Sequence, residues 1–169
     1  MPVFTPISHD DFVADVKTLA ARIVADDWTP DYIIGVGRGG LVPAVYLSHA
    51  TGMGSLSIDW SSQVPEFASA ALTRLAARTR DGERLLFVDD INDSGMTIGR
   101  IRDGLRDAAP GHLRFATLID NIGSAQRVDY AARRIDRAVT KDWFVFPWEA
   151  IAPQQAIADD AAEVPGRIA

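Results

Sequence analysis

The chain has 169 residues, 17 Lys and Arg against 23 Asp and Glu, a net charge of -6 and no cysteine. That length suits one domain with a real core, and the missing cysteines exclude a disulfide framework, a thiol nucleophile and a thiolate zinc site. An acidic surface repels nucleic acid, and no apolar run approaches the roughly 20 residues needed to cross a bilayer, so neither is an expected partner.

The N-terminus "MPVFTPISHDD" lacks the basic start and apolar core of a secretory signal, and a cytoplasmic location is expected. Ser8 opens a helix signature, with Asp11 in the capping-box position. Phe12, Val16, Leu19 and Ile23 then continue an apolar stripe at helical period, which should end near Asp26. Tyr32 to Val36 reads as a buried strand, "GRGG" as a turn, and Leu41 to Ala50 as a helix. Pro43 is tolerated in a first helical turn, whose N–H groups are unpaired in any case. Ser55 to Asp59 alternates like a short strand.

Ser61 to Arg80 combines a polar loop with an Ala-rich, helix-prone run. Arg84 to Asp90, "RLLFVDD", is the clearest strand, and Thr97 to Ala109 carries a second apolar helix face. "HLRFATLI" predicts a further strand and "RRIDRAV" a short one, with Arg133, Arg134 and Arg137 on a solvated face. "DWFVFPWE" is aromatic, and the tail from 150 to 169 lacks a strong apolar period and is expected to be partly disordered. Alternation of strands and helices predicts an α/β fold with a mostly parallel central sheet and helices on both faces. Ligands of such sheets bind beyond the carboxyl ends of the strands, where both glycine turns lie.

Two phosphate-binding patterns compete for that crevice. Gly35, Gly37 and Gly40 spell G-x-G-x-x-G after a strand, and Asp59 follows where a dinucleotide fold places a ribose-binding acid. The stretch "LLFVDDINDSGMT" carries more chemistry. A buried strand delivers Asp89 and Asp90, Asp93 follows, and Ser94, Gly95, Met96 and Thr97 lead into a helix N-terminus. Unpaired N–H donors, hydroxyls and a glycine suit a phosphate, while carboxylates accept hydrogen bonds from a ribose diol.

"FVDDINDSGMT" resembles the PRPP-binding signature of the type I phosphoribosyltransferases, and the order from the N-terminal helix to "WFVFPWE" is similar to xanthine-guanine and hypoxanthine phosphoribosyltransferases of bacteria and archaea. The resemblance implies one phosphoribosyltransferase domain over 1–149. Its base-binding hood would come from the aromatic segment and the N-terminal region. It also implies transfer of the 5-phosphoribosyl group of PRPP to a base, for which the aromatic end points to a purine, with magnesium as cofactor. Asp89 and Asp90 would hold the ribose hydroxyls and influence the magnesium shell. Asp93 would be the catalytic acid or base near N7, and Asp93 to Thr97 the 5-phosphate loop. Gly37, Arg38, Gly39 and Gly40 would hold pyrophosphate, with the Gly37–Arg38 peptide often cis in the family.

Trp143 would stack on the base, Phe144 would read its edge through the backbone, and Ser61 and Ser62 would belong to a lid. Asn121 stands where purine enzymes carry a lysine that donates to the 6-oxo group, so the base half of the site departs from the pattern. A homo-oligomer, dimer or tetramer, is the expected assembly. Two other readings remain at this point: a non-catalytic PRPP-sensing regulator on the same fold, and a dinucleotide-binding oxidoreductase domain.

Overall fold

The computed structural model describes residues 3–60 and 65–162. In chain order they form β1 (Phe4–Pro6), α1 (His9–Val24), β2 (Tyr32–Val36), α2 (Gly37–Thr51), β3 (Gly54–Ile58), α3 (Pro65–Arg80), β4 (Leu85–Asn92), α4 (Met96–Gly104), β5 (Leu113–Asn121), β6 (Tyr130–Ile135), β7 (Trp143–Val145), a 3-10 turn (Pro147–Glu149) and α5 (Gln154–Ala162). Five strands make a parallel sheet in the order β3-β2-β4-β5-β6. β1 and β7 form a separate parallel pair in which Phe4 lies opposite Trp143. That pair joins the N-terminal region to the aromatic segment.

Alternation along the strands divides the core in two. Ile33, Leu86, Val88, Ala116 and Leu118 face a cluster built with Phe12, Val16 and Leu19 of α1 and Leu47 of α2. Ile34, Val36, Leu85, Phe87 and Phe115 face the other way, against Leu72 and Leu75 of α3 and Ile98 and Ile101 of α4. Helices thus cover both faces, as a parallel sheet requires. α1 forms where its stripe demands, and Ser8 caps it by accepting from the Asp11 N–H at 3.0 Å.

Five segments differ from the sequence expectation, the first being β1, which no local pattern announced. α2 begins at Gly37 rather than Leu41, so the glycine run is the first helical turn itself. α4 stops at Gly104, five residues short of the expected end. β6 spans Tyr130–Ile135, which leaves Arg137 in the turn that follows. The segment read as a tail carries α5, with Ala161 fully buried. The expected lid residues Ser61 and Ser62 lie outside the described residues.

The end of α1 is tied to the sheet by one acid. Asp26 Oδ1 accepts from the Trp28 N–H at 2.8 Å and Oδ2 from Arg114 Nη1 at 2.7 Å. Arg114 also bonds the Tyr130 hydroxyl and lies 4.8 Å from the centroid of the Trp28 ring. The Trp28 N–H first, and then Arg114, hold the Asp26 carboxyl below its ordinary value of 3.8. A lowered carboxyl contributes stability above its unfolded pKa and loses it as pH falls through the folded one. Asp26→Asn should therefore lower Tm near neutral pH. Thermal melts across pH should show the gap to wild type closing below about 3.8; a gap constant with pH would remove the carboxylate from this role.

Candidate functional site

β2 and β4 are neighbours, so the loops leaving their carboxyl ends face one crevice. α2 starts directly after β2 with no side chain capping it, and its first turn carries no acid. Gly37 has φ +54°, and a Cβ there would lie 3.2 Å from the Trp60 carbonyl oxygen. The described residues contain no cis peptide, so the Gly37–Arg38 bond is trans, unlike the family tendency noted above. Gly40 allows the backbones to touch: a Cβ would meet the Val88 carbonyl oxygen at 2.1 Å. At Gly39 a Cβ would meet Asp90 Oδ2 at 2.5 Å. Gly35 has a packing use instead, since its Cβ would press on Gly40 O and Leu41 Cα, both at 3.0 Å.

The second turn is built likewise. Gly95, at φ +87°, precedes α4, and Ser94 Oγ accepts from the Met96 N–H at 3.3 Å. A Cβ at Gly95 would strike Gln126 N at 2.7 Å, so the 124–126 loop presses on this turn. Beneath it Asn92 donates to Asp120 Oδ1 at 2.8 Å and to the Gln126 carbonyl at 2.9 Å, and accepts from Ser124 Oγ at 3.0 Å. Buried polar groups that satisfy one another in this way fix a loop in a single conformation.

Asp89 and Asp90 leave β4 between the two turns. Burial, and then the charge of Asp90, push the Asp89 carboxyl well above its ordinary range. Crowded carboxylates of this kind fit a divalent cation, whose charge would relieve both. Among the described residues no group of three or more His, Asp or Glu side chains converges as a metal cage. A magnesium ion held by Asp89 and Asp90 would therefore draw its other oxygens from ligand and water, as this ion commonly does.

Three cavities surround this strand end. A cleft of about 510 Å³ is lined by Gly37, Arg38, Gly39, Trp60, Thr97 and Trp148 among others. A second, of about 180 Å³, follows the loop from Asp89 to Ile98 and takes in Ser94, Gly95, Met96 and Thr97. A third, of about 60 Å³, is walled by Ile91, Arg137, Trp143, Phe144, Phe146 and Glu149. Asp90 lines all three.

The structure thus brings together the described residues expected at the site except Gly40, which packs on the Val88 carbonyl, and Asn121; neither lines any of these cavities. Asn121 is buried; its Nδ2 donates to the Asp93 carbonyl at 2.9 Å, and its Oδ1 accepts from the N–H groups of Gly123 and Arg137 at 3.1 and 3.2 Å. Sequence reasoning missed Trp60, Trp148, Glu149 and, above all, Arg137. Of the arginines expected on a solvated face, Arg133 and Arg134 are exposed and pair with Asp15 at 2.6 Å and Asp120 at 3.8 Å, whereas Arg137 is enclosed and pairs with Asp93 at 2.8 Å. Glu149, whose carboxyl burial pushes up, accepts from the Phe146 N–H at 2.8 Å and so shapes the aromatic turn.

Two helix N-termini that meet paired carboxylates at the carboxyl edge of a parallel sheet fit a phosphorylated ligand. The chain belongs to the phosphoribosyl transferase domain family, whose model matches residues 8–154. It is 29% identical over 154 residues to a xanthine-guanine phosphoribosyltransferase of Cereibacter sphaeroides (strain ATCC 17025 / ATH 2.4.3), covering 85% of each chain. Its fold resembles that of a purine phosphoribosyltransferase from Pyrococcus horikoshii Ot3 (TM-score 0.64, 23% identity, 89% of this chain and 96% of that one). It also resembles a hypothetical protein from Neisseria gonorrhoeae solved with bound ppGpp (TM-score 0.70, 19% identity, 96% and 98%). Among the described residues no helix is long and apolar enough to cross a membrane.

The adjacent glycines 39 and 40 separate function from folding. Gly40→Ala meets backbone and should cost roughly 1–3 kcal/mol or more, as overpacking does. Gly39→Ala meets the movable end of Asp90, so it should leave Tm nearly unchanged while weakening PRPP binding about tenfold, or 1.4 kcal/mol. Calorimetric titration with PRPP and magnesium beside thermal melts reads both effects. Wild-type PRPP affinity in Gly39→Ala would contradict this use of Asp90.

Proposed function

We propose that the chain transfers the 5-phosphoribosyl group of PRPP to a purine base and releases pyrophosphate. The observation that carries this reading is the meeting at Asp90 of a phosphate-loop cavity, a glycine-lined cleft and an aromatic cavity. These match the three parts of the reaction: 5-phosphate, pyrophosphate and base. The curated xanthine-guanine relative and the purine-enzyme neighbour support the choice of base.

In this mechanism Ser94, Gly95, Met96 and Thr97 hold the 5-phosphate at the N-terminus of α4, where N–H donors and the helix dipole favour an anion. Gly37, Arg38, Gly39 and Gly40 hold the pyrophosphate at the N-terminus of α2. A base nitrogen bonds to C1 of the ribose as the C1–oxygen bond breaks, and the electron pair leaves with the pyrophosphate. Positive charge develops on the sugar, and Asp89 and Asp90 favour it electrostatically while orienting the ribose hydroxyls. Magnesium, when bound, would neutralise charge on the pyrophosphate. Asp93 takes the proton at N7 of the base. Trp143 and Phe144 form the base wall, and the β1–β7 pair serves as the hood. A cytoplasmic homo-oligomer remains part of this reading.

The dinucleotide reading loses its first glycine, because Gly35 serves strand–helix packing. A PRPP-sensing regulator is separated by turnover. In a pyrophosphate-release assay with PRPP, magnesium and hypoxanthine, guanine, xanthine or adenine, at least one purine should support release. PRPP binding without release for any base would instead establish the regulator. Asp93→Asn should reduce kcat by about 10²- to 10⁴-fold, the usual size of an acid–base contribution, with PRPP affinity near wild type. Equal losses in kcat and affinity would contradict the acid–base role.

A further inference from the structure

The base pocket lacks the lysine of the family pattern, and Asn121 has its amide turned to backbone groups. The cation that stands at the pocket comes from elsewhere. Arg137, in the turn after β6, lines the small aromatic cavity together with Trp143 and Phe144. Its Nε donates to Asp93 Oδ2 at 2.9 Å, and Nη2 lies 2.8 Å from the same oxygen. Nη1 donates to the carbonyls of Asp142 and Thr140 at 2.6 and 3.2 Å. The guanidinium lies 5.2 Å from the centroid of the Phe144 ring, and its side chain is 12% exposed. A cation this enclosed, with both faces of its fork engaged, has a fixed position.

We propose that Arg137 is the base-specificity residue of this site, and that the Asp93–Arg137 pair selects a 6-oxopurine. The inference rests on the purine reading above. A carboxylate offers only acceptors and a guanidinium only donors. Side by side they complement the N7–H and 6-oxo edge of an oxopurine: N7–H donates to Asp93, and the 6-oxygen accepts from the second Nη2 hydrogen. A 6-amino group in that place would set N–H against N–H. Both donors would be left unpaired in a buried site, and that is how such sites reject an analogue. Asn121 then acts as a positioning residue, since it fixes the backbone of Asp93 and of Arg137 together.

The test uses thermal shift with IMP, GMP or AMP, together with steady-state kinetics on hypoxanthine and adenine, in wild type, Arg137→Met and Arg137→Lys. Wild type should be stabilised more by IMP and GMP than by AMP. Arg137→Met should lower kcat/KM for hypoxanthine by about 10- to 100-fold, the loss of one charged hydrogen bond, with a smaller effect on adenine and on the KM for PRPP. Arg137→Lys keeps a cation beside Asp93 and should fall between the two, and it carries the test if Arg137→Met does not fold. Equal stabilisation by IMP and AMP in wild type, or discrimination that survives in the variants, would overturn the proposal. Discrimination between nucleotides without turnover on any base would sink the enzymatic reading and leave the assignment of Arg137 standing.

Discussion

The site depends on one close contact, where the first turn of α2 lies directly on the end of β4. Gly40 lets the helix backbone reach the Val88 carbonyl, and Gly39 leaves room for the Asp90 carboxylate. A side chain at either place would force the glycine turn and the acidic strand end apart. Because β2 and β4 are paired in parallel register, Gly35 opposite Val88, that contact also fixes the direction of the helix. Two opposite electrostatic elements are therefore held together: N–H donors that attract an anion and carboxylates that attract a cation. Neither alone selects a ligand carrying both a pyrophosphate and a ribose diol.

The other half of the site is held by buried polar groups rather than by backbone contact. Asn92 bonds both Asp120 and Ser124 below the Gly95 turn, while Asn121 and Arg137 grip Asp93 from backbone and side chain. Arg137 also holds the carbonyls of Thr140 and Asp142, just before the aromatic strand. The position of Trp143 and Phe144 is thereby linked to the position of Asp93. In the proposed mechanism base recognition and proton transfer therefore share one anchor.

The parts of the fold that were legible in the sequence are those in which local pattern and burial agree. β2, the first half of β4 and the middle of β5 are largely apolar runs buried on both faces, and α1 has one clean stripe. β1 was invisible because it has three residues, none of them buried, and exists only through pairing with residues 143–145. β6 was displaced because half-exposed charged residues fill its second half, so its pairing with β5 sets its limits. The turn from β4 into α4 is contiguous sequence, "VDDINDSGMT", and so was readable. Arg137 was not, since its partner lies 44 residues away and nothing in "RRIDR" separates a buried cation from solvated ones.

The proposed PRPP site joins one strand end to two helix N-termini. A crystal structure with PRPP and magnesium tests it most directly. The 5-phosphate should lie on Ser94 to Thr97, the ribose diol against Asp89 and Asp90, and the pyrophosphate on Gly37 to Gly40. Ligand bound in another cleft, or pyrophosphate held away from the α2 glycines, would contradict it.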